Sequence, residues 1–105
     1  MDEANSAEST LDVVDNRAAS RFEAAVGDAV AFSTYRLGKR TIAFLHTEVP
    51  ESLRGRGIAE RLVTAALDSA RSRGLLVIPL CPYVAAFLKR HEEYQDIVVR
   101  AALDG

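Results

Sequence analysis

His46 and Glu48 are two neighbouring side chains of this sequence whose types suit proton transfer. They stand two residues apart in an extended run, so they would share one face of a β-strand. An imidazole or a carboxylate can deprotonate an ammonium group, directly or through water, before the amine attacks an electrophile. A solvent-facing Glu48 paired with an arginine, and a hydrogen-bonded structural His46, explain the same residues equally well.

Cys81 offers a second kind of chemistry, because Pro82 after it is typical of the first turn of a helix. The positive end of a helix favours the thiolate, which is the nucleophilic form, over the thiol. A covalent intermediate on Cys81 would use this property. The alternative is a small, partly buried residue that packs against a bound ligand.

A loop rich in glycine and arginine follows the strand that carries the histidine and the glutamate. Gly55 and Gly57 let the backbone approach an anion closely. The N–H groups of the next helix's first turn would point at that anion, and Arg54 or Arg56 could add charge-assisted hydrogen bonds. The loop is neither a P-loop nor a Rossmann fingerprint. A phosphate site and an ordinary helix start with surface arginines both fit it.

Three strands and a helix must position these residues. Runs at residues 16–26, 29–37 and 41–49 are separated by short glycine-containing turns, which predicts an antiparallel meander. The third run begins apolar on both faces, so that strand should be central and covered on both sides. Alternation assigns its residues to two faces: Ile42, Phe44, His46 and Glu48 on one, and Ala43, Leu45, Thr47 and Val49 on the other.

The second half of the chain predicts a crossover between parallel strands. Apolar residues at helical spacing form a stripe from residue 58 to 70, and Gly74 suits the left-handed position after a helix. The apolar run 75–80 predicts a strand parallel to the third. A second helix follows, with His91 as a cap near its end, and residues 97–99 either add a strand or cover the core.

Composition limits the class of protein. The 105 residues, 49% of them hydrophobic, fit a single α/β domain with a small core. A formal net charge of −2 argues against a nucleic-acid binder, and no apolar run is long enough to span a membrane. One cysteine and two histidines argue against a structural zinc site. Without a signal peptide, we expect a cytoplasmic protein with a disordered tail at residues 1–12 and one domain at residues 13–105.

The stretch from Val49 to Ala59 resembles the acetyl-CoA loop of the GNAT acetyltransferases. In that family a strand ending in Val leads into R/Q-x-x-G-x-G/A at a helix start, and Arg54, Gly57 and Ala59 fill the three defined positions. The likeness extends over residues 41–91. It includes a helix with an Ala-Ala-Phe stretch, here Ala85-Ala86-Phe87. The whole pattern resembles more closely a short, single-domain GNAT-like subfamily without an established substrate, on the runs His46-Thr47-Glu48-Val49, Gly57-Ile58-Ala59, Cys81-Pro82-Tyr83-Val84 and His91-Glu92-Glu93-Tyr94.

The resemblance implies an acetyl-CoA-dependent N-acetyltransferase with a minimal GNAT-like fold. Its sheet would be mostly antiparallel, with about four strands, one parallel βαβ step and helices packed on it. The pyrophosphate of acetyl-CoA (or CoA) would lie on the loop, and the pantetheine would run along the strand end as an extra strand would. The residues expected to contact it are Val49, Arg54, Gly55, Arg56, Gly57, Ile58, Ala59, Cys81 and Phe87.

Several functions stay open within that resemblance. For direct transfer to an amine, Glu48 or His46 would be the base, and Tyr83 or Tyr94 would replace an acid that many members carry where this chain has Leu88. An acyl-cysteine at residue 81, a non-catalytic acetyl-CoA sensor or carrier, and a protein-interaction module are the alternatives. The acceptor amine is not defined. The family's two N-terminal helices have no counterpart here, so a large acceptor, or a second subunit as in a homodimer, would complete the site.

Overall fold

Five strands join into one sheet whose spatial order follows the chain order in this computed structural model, which describes residues 11–99. Neighbouring strands pair antiparallel from β1 to β4, and β4 pairs parallel with β5. The predicted mixed sheet with one parallel step is therefore confirmed. The strands are β1 (Val13–Asn16), β2 (Arg21–Val26), β3 (Ala29–Leu37), β4 (Thr41–Glu48) and β5 (Leu76–Pro79).

Strand β1 was not predicted, since about four strands were expected and the sheet has five. Its four residues are too few to show a period of two, and its edge position leaves Val14 57% exposed. Pairing with β2 extends it nonetheless. The predicted tail falls mainly on residues 1–10, which lie outside the described residues, while Leu11 already packs against the core.

Helix α1 (Ile58–Ser72) packs across the sheet and contacts all five strands. Its predicted apolar stripe is confirmed, because the buried members recur three or four residues apart. These are Ile58, Leu62, Val63, Ala66, Leu67 and Ala70. Gly74 has a φ of +69°, which confirms its predicted left-handed position after the helix.

Helix α2 (Pro82–Arg90) contacts β4 and β5, and Cys81 is its N-cap, as predicted. His91 is the C-cap, also as predicted. Two 3₁₀ turns complete the described elements, at Glu51–Leu53 and Glu92–Ile97. Of the two alternatives expected of the last apolar segment, covering the core is the one observed, because Ile97 and Val98 are buried. Val98 forms only an isolated parallel bridge to Val77 rather than a further strand of the described sheet.

A β-bulge at Leu45 overturns the predicted faces of β4. Tyr35 of β3 lies opposite Phe44, whereas Thr34 lies opposite His46, so Leu45 has no partner in β3. The extra residue shifts the alternation by one. The side chains after Leu45 therefore lie on the face opposite to the one that regular alternation from Phe44 would give them.

The buried members of β3 identify the two faces. Ser33, opposite Thr47, is fully buried, and so is Phe44, opposite the buried Tyr35. Thr47 therefore lies on the core face with Phe44, while His46 and Glu48 lie on the opposite, outer face. Coverage of both faces was also overestimated, since Ala43 and Leu45 on β4 are only half-buried.

Strands β4 and β5 separate at the end that carries the polar residues. Their pairing runs from Thr41 opposite Leu76 to Phe44 opposite Pro79, and the Cys81 N–H donates to the Phe44 carbonyl at 2.8 Å. Beyond that bond β5 has ended, and β4 continues to Glu48. A cleft opens between β4 and the start of α2. Among residues 11–99, no helix is long and apolar enough to cross a membrane.

Candidate active site

The loop between β4 and α1 is fixed by its own side chains. The Arg54 Nε donates to the Val49 carbonyl at 3.1 Å, and Leu53 is buried at 3% exposure. Arg54 thus ties the end of the loop back to its beginning. The other guanidinium N–H groups of Arg54 remain as donors for an anion.

Two glycines with positive φ turn the loop into α1. Gly55 has a φ of +80°, and Gly57, the N-cap, has a φ of +73°, which side-chain-bearing residues adopt only with strain. No side chain caps this helix end. The first N–H groups of the 15-residue α1 therefore have no intrahelical partner and carry the positive end of the helix dipole. This donor set fits a diphosphate.

A cavity of about 260 Å³ lies against this loop. Its lining includes most residues that the sequence assigned to cofactor binding. They are Val49, Arg54, Gly55, Gly57, Ile58 and Ala59, joined by Leu53, Glu60 and Tyr83. A second cavity of about 370 Å³ adjoins it at the end of β4 and shares Val49, Arg54, Ala59 and Tyr83 with it. Its remaining lining is His46, Thr47 and Glu48.

The two cavities form one continuous cleft, with the anion loop at one end and the predicted proton-transfer residues at the other. The His46 Nε2 lies 3.1 Å from the Glu48 Oε1, and both side chains are exposed, at 60% and 58%. Water or an acceptor can reach this pair from the outer face of the sheet. The structure thus brings His46, Glu48 and Tyr83 to the same cleft as the loop.

Cys81 lies on the other side of β4, within the core. Its side chain is 2% exposed, and its Sγ donates to the Thr47 Oγ1 at 3.4 Å. Thr47 also shares a hydrogen bond of 3.0 Å with the fully buried Ser33 hydroxyl. The thiol thus belongs to a chain of three hydrogen-bonded side chains, of which only the half-buried Thr47 lines the cleft, while Cys81 and Ser33 line neither cavity.

The predicted acids occupy different places. Tyr83 lines both cavities, and burial together with the Glu60 carboxylate raises the pKa of its hydroxyl. It therefore keeps its proton at neutral pH. Tyr94 instead donates to Asp68 at 2.7 Å, and burial and this bond raise its pKa to about 12. Tyr94 lines neither cavity of the cleft.

Phe87 and His91 form part of the core behind the cleft. Phe87 is fully buried, with the His91 ring stacked on it at a centroid distance of 3.8 Å. The His91 ring also bonds through Nδ1 to the Phe87 carbonyl at 2.8 Å, and its Nε2 lies 3.7 Å from Glu60. The contact of Phe87 with a cofactor stays a prediction.

A larger groove of about 780 Å³ lies beside α1, between residues 11–13 and the outer side of the helix. It shares Gly57 and Glu60 with the loop cavity but has neither His46, Glu48 nor Tyr83 in its lining. Its charged side chains are of both signs, Arg56 and Arg61 against Asp12, Glu60 and Asp68. The cleft between β4 and α2 is therefore the better candidate for chemistry.

Sequence reasoning missed Glu60, Thr47 and Ser33 as parts of the site. Glu60 follows directly after the R-x-x-G-x-A motif, so its place in the first turn of α1 was available from the sequence. Thr47 and Ser33 were not, because their meeting depends on the bulge in β4 and on the register of β3.

Comparisons with known proteins agree with this geometry. A profile of the GCN5-related N-acetyl-transferase family matches residues 21–97. Protein NATD1 of Bos taurus is 44% identical over 55 residues, which is 52% of this chain and 49% of that protein. Protein NATD1 of Danio rerio is 38% identical over 65 residues, which is 60% of this chain and 59% of that protein. The chain thus matches about half to three fifths of the length of these relatives.

A solved structure has the same fold. The solution NMR structure of a GCN5-like protein from Staphylococcus aureus aligns with a TM-score of 0.68 and 28% identity, covering 87% of this chain and 90% of that one. The family match spans β2 to the second 3₁₀ turn and includes the whole cleft. The chain belongs to the GCN5-related N-acetyltransferase family.

Proposed function

We propose that this chain transfers the acetyl group of acetyl-CoA to a primary amine. The observation that carries the proposal is the single cleft that has an anion-binding helix start at one end and the His46–Glu48 pair at the other. Acetyl-CoA supplies the acyl group as an activated thioester. Arg54 and the N–H groups at the start of α1 would hold its pyrophosphate.

The unpaired end of β4 gives the pantetheine a place. Its amides can bond to β4 backbone groups past Phe44, where β5 no longer does. The cleft continues from the loop to His46 and Glu48, so a chain bound in it leads from the anion site to the proton-transfer pair. Contact of the acetyl-CoA arm with Val49, Ile58 and Ala59 follows from the same path.

The chemistry divides between two groups. The His46–Glu48 pair takes the proton of the incoming ammonium, the nitrogen bonds to the acetyl carbon, and the carbon–sulfur bond breaks. The Tyr83 hydroxyl, kept protonated by its raised pKa, donates to the departing thiolate. After the attack the nitrogen releases a second proton to solvent, and solvent returns a proton to the Tyr83 hydroxyl.

Transfer through an acyl-cysteine is the less favoured route. Attack by Cys81 would require the buried thiol to leave its hydrogen bond to Thr47 and enter the cleft. The direct route requires no such movement, because His46 and Glu48 are already exposed there. A non-catalytic sensor would use the same loop but not this pair.

Two measurements test the proposal. Titration with acetyl-CoA should shift the amide NMR signals of residues 54–59. Transfer from labelled acetyl-CoA to a peptide with a free N-terminus and one lysine should fall about 100-fold in Glu48→Gln. Glu51→Gln, an exposed glutamate on the same loop, is the matched control and should leave transfer unchanged.

Each other outcome has a definite meaning. Unshifted loop amides would remove the cofactor from the proposal. Shifted amides without transfer to any amine would favour the sensor. Label retained on the protein without an amine, and lost in Cys81→Ala, would favour the covalent route.

A further inference from the structure

A cluster of side chains lies on the outer face of the sheet, across the strands from His46. Phe32 of β3 contacts the His46 ring edge-on, with ring centroids 6.5 Å apart and planes at 63°. The Arg21 guanidinium of β2 lies over the same Phe32 ring, 4.3 Å from its centre. Neither Arg21 nor Phe32 lines the cleft.

The sheet register explains how these side chains meet. Glu23, Phe32 and Glu48 lie opposite one another in one cross-strand row, and Arg21, Thr34 and His46 lie in the next. Phe32 reaches diagonally to Arg21 on one side and to His46 on the other. Diagonal neighbours in a sheet are within reach of aromatic and long side chains.

The Arg21 end of the cluster is itself held in place. The Arg21 Nε donates to the Glu23 Oε2 at 2.6 Å, and the Asn16 side-chain amide donates to the same oxygen at 2.9 Å. These two bonds hold the pKa of Glu23 below its usual value, so this carboxylate stays charged. The contacts therefore extend from β1 to β4 and end at His46 and Glu48.

The bond to Glu48 defines which imidazole nitrogen is left for chemistry. A carboxylate only accepts hydrogen bonds, so the neutral His46 ring must carry its proton on Nε2, which faces Glu48 at 3.1 Å. Nδ1 then holds the free lone pair. The ring can turn about its side-chain torsions, and the Phe32 ring packs edge-on against it in the orientation that places Nε2 toward Glu48.

We propose that Phe32 and Arg21 are positioning residues for His46, and that they hold the imidazole so that Glu48 accepts from Nε2 while Nδ1 receives the acceptor's proton. This inference rests on the proposed function for its catalytic meaning. It adds that Glu48 orients His46, and that two residues outside the cleft set the rate. The Arg21 guanidinium holds the Phe32 ring in place, and the Phe32 ring in turn holds the His46 imidazole.

The test compares substitutions at Phe32. Phe32→Leu keeps an apolar side chain but removes the ring edge, and it should lower kcat about tenfold while the KM for acetyl-CoA changes less than about twofold. Phe32→Tyr keeps the ring and should restore kcat to within about twofold of the wild type. Arg21→Gln should lower kcat about threefold. Val30→Ala, a half-buried residue on the same face of β3, is the control and should leave kcat unchanged.

A second measurement needs no turnover. Nitrogen NMR of the His46 ring in the protein without acetyl-CoA should show the proton on Nε2 in the wild type and in Phe32→Tyr. In Phe32→Leu that single form should give way to a mixture of the two tautomers. The peptide with a free N-terminus and one lysine serves as acceptor in the kinetic part.

The outcomes separate the two ideas. A wild type that transfers acetyl groups while Phe32→Leu keeps the wild-type kcat and a single His46 tautomer overturns the positioning role alone. A fall in kcat that Phe32→Tyr does not rescue also overturns it, because that result reports a general loss of structure. A wild type that binds no acetyl-CoA overturns the proposed function, and the catalytic role with it.

Discussion

The two faces of β4 carry different chemistry at the point where the strand leaves β5. On the core face, the half-buried Thr47 joins the buried Ser33 and Cys81 through hydrogen bonds. On the outer face, His46 and Glu48 bond to each other and stay more than half exposed. The bulge at Leu45 decides which residue falls on which side. The difference shows that a reactive group near the cleft is usable only when it also has access to it.

The largest expected effect is the difference in the reactivity of the Cys81 thiol between the native and the denatured protein. Alkylation by iodoacetamide should be roughly 100-fold slower in the native protein than in denaturing urea, because the thiol must first be exposed by a local opening of about 3 kcal/mol. Mass spectrometry of the labelled chain measures the two rates.

An adjacent exposed thiol provides the reference for that rate. Leu80 is 63% exposed, so Leu80→Cys in a Cys81→Ala background should react at nearly the same rate with and without urea. Equal native rates for Cys81 and for this reference thiol would show that the Cys81 thiol is accessible, and would favour the covalent route over direct transfer.

Alkaline pH should weaken the core side of the sheet selectively. The Tyr35 hydroxyl donates to Asp15 at 2.5 Å, and burial with this bond raises its pKa to about 12. The folded state thus holds the proton more tightly than the unfolded chain, whose tyrosines titrate near 10. The stabilisation is complete below about pH 10 and is lost as the pH rises toward 12, by up to about 3 kcal/mol.

Urea unfolding at several alkaline pH values measures this loss. Tyr94, whose hydroxyl has a similarly raised pKa beside Asp68, should contribute a comparable loss, so Tyr35→Phe and Tyr94→Phe should each remove about half of the total. A free energy of unfolding that falls equally steeply in the double variant would place the alkaline weakness elsewhere.

The order of helices and strands from β2 onward could be predicted from the sequence, because each of these elements has a recognisable pattern in its own residues. The apolar stripe of α1, the glycine after it and the Cys81-Pro82 helix start are short-range patterns, and all three are confirmed. The glycine- and arginine-rich loop between β4 and α1 was identified from the same kind of short-range pattern, and its role in anion binding stays a prediction. Its place beside Tyr83 was not predicted, because it depends on how the start of α2 packs against the end of β4.

What the sequence could not give depended on pairing between strands. The bulge at Leu45 leaves no mark in the local alternation, so His46 and Thr47 were assigned to the wrong faces. Strand β1 is held by its neighbour β2 rather than by its own pattern. The contact of Phe32 with His46 likewise needs the register of β3 against β4, which only the folded sheet fixes.

The hydrogen-bonded hydroxyls of Ser33 and Thr47 should contribute jointly to the free energy of unfolding. Thr47→Val leaves the Ser33 hydroxyl without this partner and should cost about 1–2 kcal/mol of unfolding free energy. Ser33→Ala combined with Thr47→Val should cost less than the sum of the single changes, because neither hydroxyl is then left without the other and only the Cys81 thiol, a weak donor, loses its acceptor. Thr34→Val on the outer face is the control and should stay within about 0.5 kcal/mol of the wild type. Strictly additive costs would mean that the hydroxyl pair contributes nothing jointly.

The smallest effect tests whether the outer face is ordered or merely solvated. Arg21→Gln removes the cation over Phe32 and the ion pair with Glu23, and it should cost about 1 kcal/mol, part of which persists at high salt. Arg17, with a side chain 69% exposed and 3.2 Å from Asp15, is the matched control, and Arg17→Gln should be close to neutral in urea unfolding. If both changes were neutral, the outer face would differ from the core face only in exposure. A cost confined to Arg21 would mean that each face of β4 is organised by its own side-chain network, with the outer one left open to solvent at His46 and Glu48.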